Sequence, residues 1–178
     1  MEGVERNKVK LVPHNEEWDD EFRRIKPVLM TIFNVKSEDV QHVGSTAVKG
    51  IVAKPILDIA INLDSFSALN IDGMTELGYE DRHEAGVPGR RLFVLRGNED
   101  QSLHHIHCFE RDGDGFRKQV FFRDYLITHP EIARQYSELK IGLALINPDD
   151  RKRYTEGKDR FVQSILEKMD SEISKIDQ

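Results

Sequence analysis

One cysteine stands in the whole sequence, and no stretch approaches the ~20 consecutive apolar residues that a membrane-spanning helix needs. The lone Cys108 excludes an internal disulfide, and its place between Ile106 and Phe109 is that of a reduced, structural thiol. The opening residues Met1-Glu2-Gly3-Val4-Glu5-Arg6 lack the basic start and apolar stretch of an export signal. Together these absences predict a cytoplasmic protein with no membrane association. Basic residues are also in short supply: 26 Lys and Arg against 32 Asp and Glu leave a formal net charge of -6. Broad nucleic-acid binding is excluded on that balance, because counterion release requires a basic surface. A small anionic ligand in a local basic pocket remains compatible with it. Internal repeats and low-complexity segments are absent. The oligomeric state leaves no trace in the sequence.

What is present is the composition of a globular chain, with 38% apolar and 33% charged residues in 178 positions, enough for one domain with its own core. The single domain is expected to span 1–178, with a sheet-containing core over 9–110 and helices over 116–170. Trp18, Phe22, Ile25, Leu29, Ile32 and Phe33 recur at helical spacing behind an Asn15 cap, with a kink expected at Pro27. Val9 to Val12 and Asp39 to Val43 read as short strands. Pro55 to Leu63 reads as a longer one, in which Leu57, Ile59, Ile61 and Leu63 face the core and Asp58 projects from the opposite face. A helix is expected from about Ser65 to Leu77, then a hairpin of 91–96 and 103–110. Further helices are expected over 116–128, from Pro130 to Ile146, and after an Asn147-Pro148 cap. The order predicts an α/β (α+β) mixed sheet flanked by helices, with a helical C-terminal third.

Three groups of residues carry chemistry. In the first, a strand is followed by Gly44-Ser45-Thr46, a short helix and a second strand bearing Asp58. A helix opening after Gly-Ser offers free N–H groups and hydroxyl donors to a phosphate, and a carboxylate on the returning strand would hold a divalent metal against it. The second is His104-His105-Ile106-His107, in which His105 and His107 share one strand face. With Asp58 they make a His-His-carboxylate metal set. Cleft hydrogen bonding and a purely structural role are the alternatives. Glu110 is a further carboxylate, on the face opposite to His105. The third is a set of cations, Lys54, Arg90, Arg91 and Lys158. Arg91 is placed to reach the cleft mouth, and Tyr154 shares a helix face with Lys158. Tyr154 then either stacks on a base or belongs to the core, and His42 is either a cleft residue or a buried hydrogen-bonding group.

The stretch from His42 through Gly44-Ser45-Thr46 and Lys54-Pro55-Ile56-Leu57-Asp58 to Ile59 resembles the signature of the GrpB family. The resemblance continues in Gly89-Arg90-Arg91-Leu92-Phe93, His104-His105-Ile106-His107, Phe122-Arg123-Asp124-Tyr125-Leu126, His129-Pro130, Tyr154 and Lys158. It implies a nucleotidyltransferase-like fold in which Gly44 and Ser45 hold nucleoside triphosphate phosphates and strand carboxylates bind Mg²⁺. His42, Thr46, Lys54, Arg91, Tyr154 and Lys158 are the further nucleotide-binding candidates, and Asp58 the catalytic one. The wider superfamily carries a second carboxylate where this sequence has Ala60. The expected function is therefore a nucleotidyltransferase-like protein that binds a nucleoside triphosphate or phosphorylated metabolite with Mg²⁺, Mn²⁺ or Zn²⁺. A catalytically inactive nucleotide- or phosphometabolite-binding protein is one alternative, and a metal-dependent phosphohydrolase using Asp58, His105 and His107 is another.

Overall fold

The structure, a computed structural model, describes residues 3–5 and 7–176. Residues 1, 2, 6, 177 and 178, which the single-domain expectation includes, lie outside the described residues. Helix α1 (Glu17–Phe33) forms because Trp18, Ile25, Leu29 and Phe33 fall on one buried stripe and the acidic Glu17, Asp19 and Asp20 sit at its positive end. Asn15 Oδ1 accepts the Glu17 N–H at 2.9 Å. The helix continues through Pro27 and stops at Asn34, whose left-handed backbone closes the last turn.

Five strands follow: β1 (Val40–Val43), β2 (Leu57–Leu63), β3 (Tyr79–Asp81), β4 (Arg90–Arg96) and β5 (Ser102–Glu110). They lie in the order β1-β2-β5-β4-β3, with β2 and β5 parallel and every other pair antiparallel. The expected hairpin is the β4–β5 pair. One face of the sheet carries Val40, Leu57, Ile59, Ile61, Leu63, Phe93, Ile106 and Cys108 and packs against α1 and α2 (Ile71–Glu76) as the main core. The other face carries Val43, Ala60 and Phe109, covered by Phe116 and Val120 of α3 (Gly115–Thr128). Helices α3, α4 (Pro130–Ile146) and α6 (Asp159–Ile176) pack on one another through Leu126, Ala133, Tyr136 and Ile165. No helix among the described residues is long and apolar enough to cross a membrane.

Three expected elements differ, and one strand is additional. Between 65 and 77 the chain makes a tight turn (Phe66–Ala68) and then α2, because two caps compete. Ser65 Oγ accepts the Ser67 N–H at 3.2 Å, and Asn70 Oδ1 accepts the Gly73 N–H at 2.8 Å. Val9 to Val12 is reduced to a single bridge between Val12 and Ala53. The last helix is two, α5 (Arg151–Glu156) and α6, and its cap is Asp150 rather than Asn147, with Oδ1 3.0 Å from the Arg153 N–H. Strand β3 was not expected; three residues are too few to show an alternating pattern.

Candidate functional site

The parallel pairing of β2 with β5 sets Asp58 beside His105 and Ala60 beside His107. Because side chains alternate along a strand, Asp58, His105 and His107 leave the sheet on the same face. Asp58 Oδ1 accepts from His105 Nδ1 at 3.2 Å and from His107 Nε2 at 3.3 Å. The two rings stand perpendicular, 6.0 Å between centroids. Burial opposes ionisation of Asp58, yet the hydrogen bonds and charges of the two histidines hold its carboxyl far below the usual range. Burial pushes His105 below its ordinary value.

The three side chains offer donor atoms that all lie within 4.8 Å of one another. Ligands bound about 2.1 Å from one metal stand roughly 3.0 to 3.4 Å apart, and both Asp58 contacts fall in that range. The donor set therefore fits a metal. Arg90 NH1 lies 3.4 Å from His107 Nδ1. Arg90 also donates to the carbonyls of Glu84 and Ala85. His104 points to the opposite face, where it meets Tyr79 Oη at 2.7 Å and Glu21 at 3.1 Å. Glu110 is engaged too, accepting the Phe66 N–H at 2.7 Å.

The turn after β1 presses on the carboxylate. Gly44 has φ +69°, and a Cβ there would meet Asp58 Oδ2 at 2.7 Å. The short helix expected next is a single tight turn, Ser45–Ala47, so hydroxyls rather than a helix end face the cleft. The cleft itself is a cavity of about 370 Å³ lined by Gly44, Ser45, Thr46, Lys54, Asp58, His105, His107, Tyr154 and Lys158, all expected from the sequence.

Two expected residues lie elsewhere. His42 belongs to the α1 side, buried and stacked on Phe22, with Nε2 2.9 Å from Thr46 Oγ1; burial lowers its pKa to about 4. It braces Thr46 from behind. Arg91 alternates away from the cleft and is clamped by Asp81, its Nε 2.8 Å from Oδ1. Its neighbour Arg90 holds the cleft-side position. Tyr154 and Lys158 do not share a helix, since Gly157 and Lys158 form the bend between α5 and α6. They meet nonetheless: Lys158 Nζ stands 4.7 Å and Lys54 Nζ 5.4 Å from the centre of the Tyr154 ring. The ring thus carries ammonium groups where a base was one of its two expected partners.

Other lining residues escaped the sequence reading: Lys118, Tyr136, Lys140 and Arg151. Lys140 is 1% exposed. Its ammonium donates to Ser45 Oγ at 2.9 Å and to the Val52 carbonyl, and lies 4.6 Å from the Tyr136 ring centre. Burial, with the charges of Lys158 and Lys54, brings it down to about 7. Lys54 is likewise lowered to about 7 by burial and by Arg151 and Lys158. The available signal was spacing, because Lys140 falls one helical turn after Tyr136 on an apolar face.

The family model described as GrpB protein matches residues 8–168. The chain belongs to the GrpB family. It is 36% identical over 174 residues to the glutamate-rich protein GrpB of Alkalihalophilus pseudofirmus, covering 95% of this chain and 100% of that one. Its identity to YqkA of Bacillus subtilis is 35% over 164 residues, 91% of this chain but 47% of YqkA, so it spans about half of that relative. The crystal structure of GrpB from Enterococcus faecalis superposes with a TM-score of 0.78 at 29% identity, covering 89% of this chain and 96% of that chain. Cid1 poly(U) polymerase superposes with a TM-score of 0.50 at 11% identity over 74% of this chain and 44% of that chain. That likeness shows a nucleotidyltransferase-like fold and nothing finer. In this GrpB protein the signature stretch from His42 to Ile59 is the end of β1, the turn at Gly44 and the start of β2.

Proposed function

We propose that the cleft binds the polyphosphate of a nucleoside triphosphate, or a related phosphorylated metabolite, together with a divalent metal on Asp58, His105 and His107, as a nucleotidyltransferase-like enzyme. One observation carries the reading. Lys54, Lys118, Lys140, Arg151 and Lys158 line a single cavity in which Asp58 is the one carboxylate among the described residues. In a chain of net charge -6, such a local excess of cations specifies an anionic ligand. Arg151 offers a planar fork to phosphate oxygens, the lysines offer point charges, and Ser45 and Thr46 offer hydroxyls.

Two imidazoles and one carboxylate favour Mn²⁺ or Zn²⁺ over Mg²⁺, which prefers an all-oxygen shell. The metal would supply Lewis-acid charge to a phosphate oxygen. Ala60 withholds the second strand carboxylate of a two-metal centre, and His107, its register partner, stands where that function would be met. This substitution of imidazole for carboxylate favours a second reading, a metal-dependent phosphohydrolase.

A thermal-shift series with ATP, pyrophosphate and Mg²⁺, Mn²⁺ or Zn²⁺ tests the proposal. Stabilisation by ATP with Mn²⁺ is expected, with its metal-dependent part lost in Asp58→Ala and His107→Ala and its phosphate-dependent part in Arg151→Ala. If no nucleotide and no pyrophosphate stabilises the protein, the reading fails. Release of pyrophosphate from ATP identifies nucleotidyl transfer and release of inorganic phosphate identifies hydrolysis. Binding without either identifies a binding protein.

A further inference from the structure

A serine, a lysine and a tyrosine meet at the wall of the cleft in an arrangement that phosphate binding alone does not require. Ser45 Oγ lies 2.9 Å from Lys140 Nζ, which in turn stands 4.6 Å from the centre of the Tyr136 ring. Lys140 is buried, and no carboxylate pairs with it among the described residues. Burying an unpaired ammonium is costly, so a lysine kept purely for packing would be an expensive choice. Its surroundings favour the free amine instead. One amine N–H satisfies the Val52 carbonyl, and the nitrogen lone pair is then available to the Ser45 hydroxyl proton. Tyr136, on the same wall, is pushed up to about 12 by burial and keeps its hydroxyl proton. Ser45 follows Gly44, whose backbone abuts the Asp58 carboxylate, and it lines the same cavity as Asp58.

We propose that Ser45 is a nucleophile of this cleft, with Lys140 as its general base, and that it is transiently esterified by phosphorus from a bound phosphoanhydride. The proposal rests on the polyphosphate reading of the cleft. The Ser45 O–H proton passes to Lys140 Nζ, a bond forms from Oγ to phosphorus, and the bridging P–O bond breaks. The departing phosphate or pyrophosphate portion takes the bonding pair. Attack of water or an acceptor hydroxyl on the phosphoserine ester then returns the pair to Oγ, which recovers the proton from Lys140, while the proton of the attacking O–H leaves on a phosphate oxygen of the product. Lysine–serine pairs of this kind are an established way of activating a hydroxyl.

A fluorophosphonate probe tests the nucleophile without any nucleotide. Peptide mass spectrometry of the intact, folded protein is expected to find the probe on Ser45. The rate should rise as pH passes about 7, where Lys140 loses its proton. The charges facing Lys140 are those of Lys54 and Lys158, and Asp58 is the carboxylate of the same cavity. Arginine keeps the charge but cannot act as a base, so Lys140→Arg should label about a hundred-fold more slowly or worse. Absence of probe from Ser45, or a flat pH profile, overturns the proposal, and the profile needs no variant to fold. So does wild-type labelling of Lys140→Arg. Incubation with ATP labelled at the α- or γ-phosphorus and Mn²⁺ then shows which phosphorus Ser45 receives. ATP that stabilises the protein yet leaves no ester on Ser45, even after rapid acid quench, overturns the covalent step and leaves the polyphosphate reading standing. Probe on Ser45 of a protein that no nucleotide stabilises does the reverse.

Discussion

At the scale of single residues, Gly44 is the most constrained position of the site. Its φ of +69° belongs to the left-handed region, and the Asp58 carboxylate occupies the space a side chain would need. Gly44→Ala is expected to lower stability by about 1–2 kcal/mol from backbone strain alone and to push Asp58 away from His105 and His107. Urea unfolding reads the first effect, and loss of Mn²⁺-dependent stabilisation reads the second. Asp81→Ala supplies a contrast. It removes the clamp on Arg91 and should cost stability while leaving phosphate affinity, measured by calorimetry, unchanged. The sequence shows Gly44, Ser45, Asp58 and the His105–His107 pair because each announces itself locally, by turn chemistry or by alternation along a strand. Arg90 and Arg91 show the limit of that reading. One step along β4 exchanges the faces of the sheet, and only the register with β5 says which arginine meets His107. Lys140 and Arg151 reach the cleft from helices remote in sequence; the spacing of Lys140 from Tyr136 marks a shared helix face but not the turn after β1 that this face meets.

At the scale of elements, the wall formed by α5 and the bend into α6 depends on a six-residue helix with a single side-chain cap. Asp150→Ala should cost about 1 kcal/mol and weaken pyrophosphate binding as well, because Arg151, Tyr154 and Lys158 are all carried by that segment. A chemical-denaturation curve and a pyrophosphate titration on the same variant check both halves. Unchanged affinity would mean that the segment is held by its packing rather than by its cap. Helices α1, α3 and α4 were legible because long apolar stripes fix them. The divided segments were not, since Ser65, Asn70 and Asp150 are caps whose effect depends on which of several competing starts the tertiary packing rewards.

At the scale of the molecule, two buried lysines tie stability to pH. Lys54 and Lys140 titrate near about 7 in the native state, whereas an unfolded lysine does so near 10.4. Between those values the unfolded chain binds more protons, so stability rises with pH across the window and is lowest below about 7. The urea midpoint should therefore climb from pH 7 to about pH 9, and Lys140→Met should flatten part of that climb. A bound polyphosphate holds Lys54 protonated. Calorimetry in buffers of different ionisation enthalpy should accordingly show proton uptake on pyrophosphate binding above pH 7, and none would contradict ligation by Lys54. The central parallel pair of strands has a kinetic consequence as well. Asp58 and His105 are 47 residues apart in the chain, and β3 and β4 intervene in sequence between β2 and β5, which are neighbours in the sheet. Closing so long a loop is slow compared with forming a hairpin or a helix. Asp58 is therefore expected to meet His105 and His107 late in folding, and a metal held by the three, as proposed, should slow the unfolding limb of the chevron while leaving the folding limb nearly untouched.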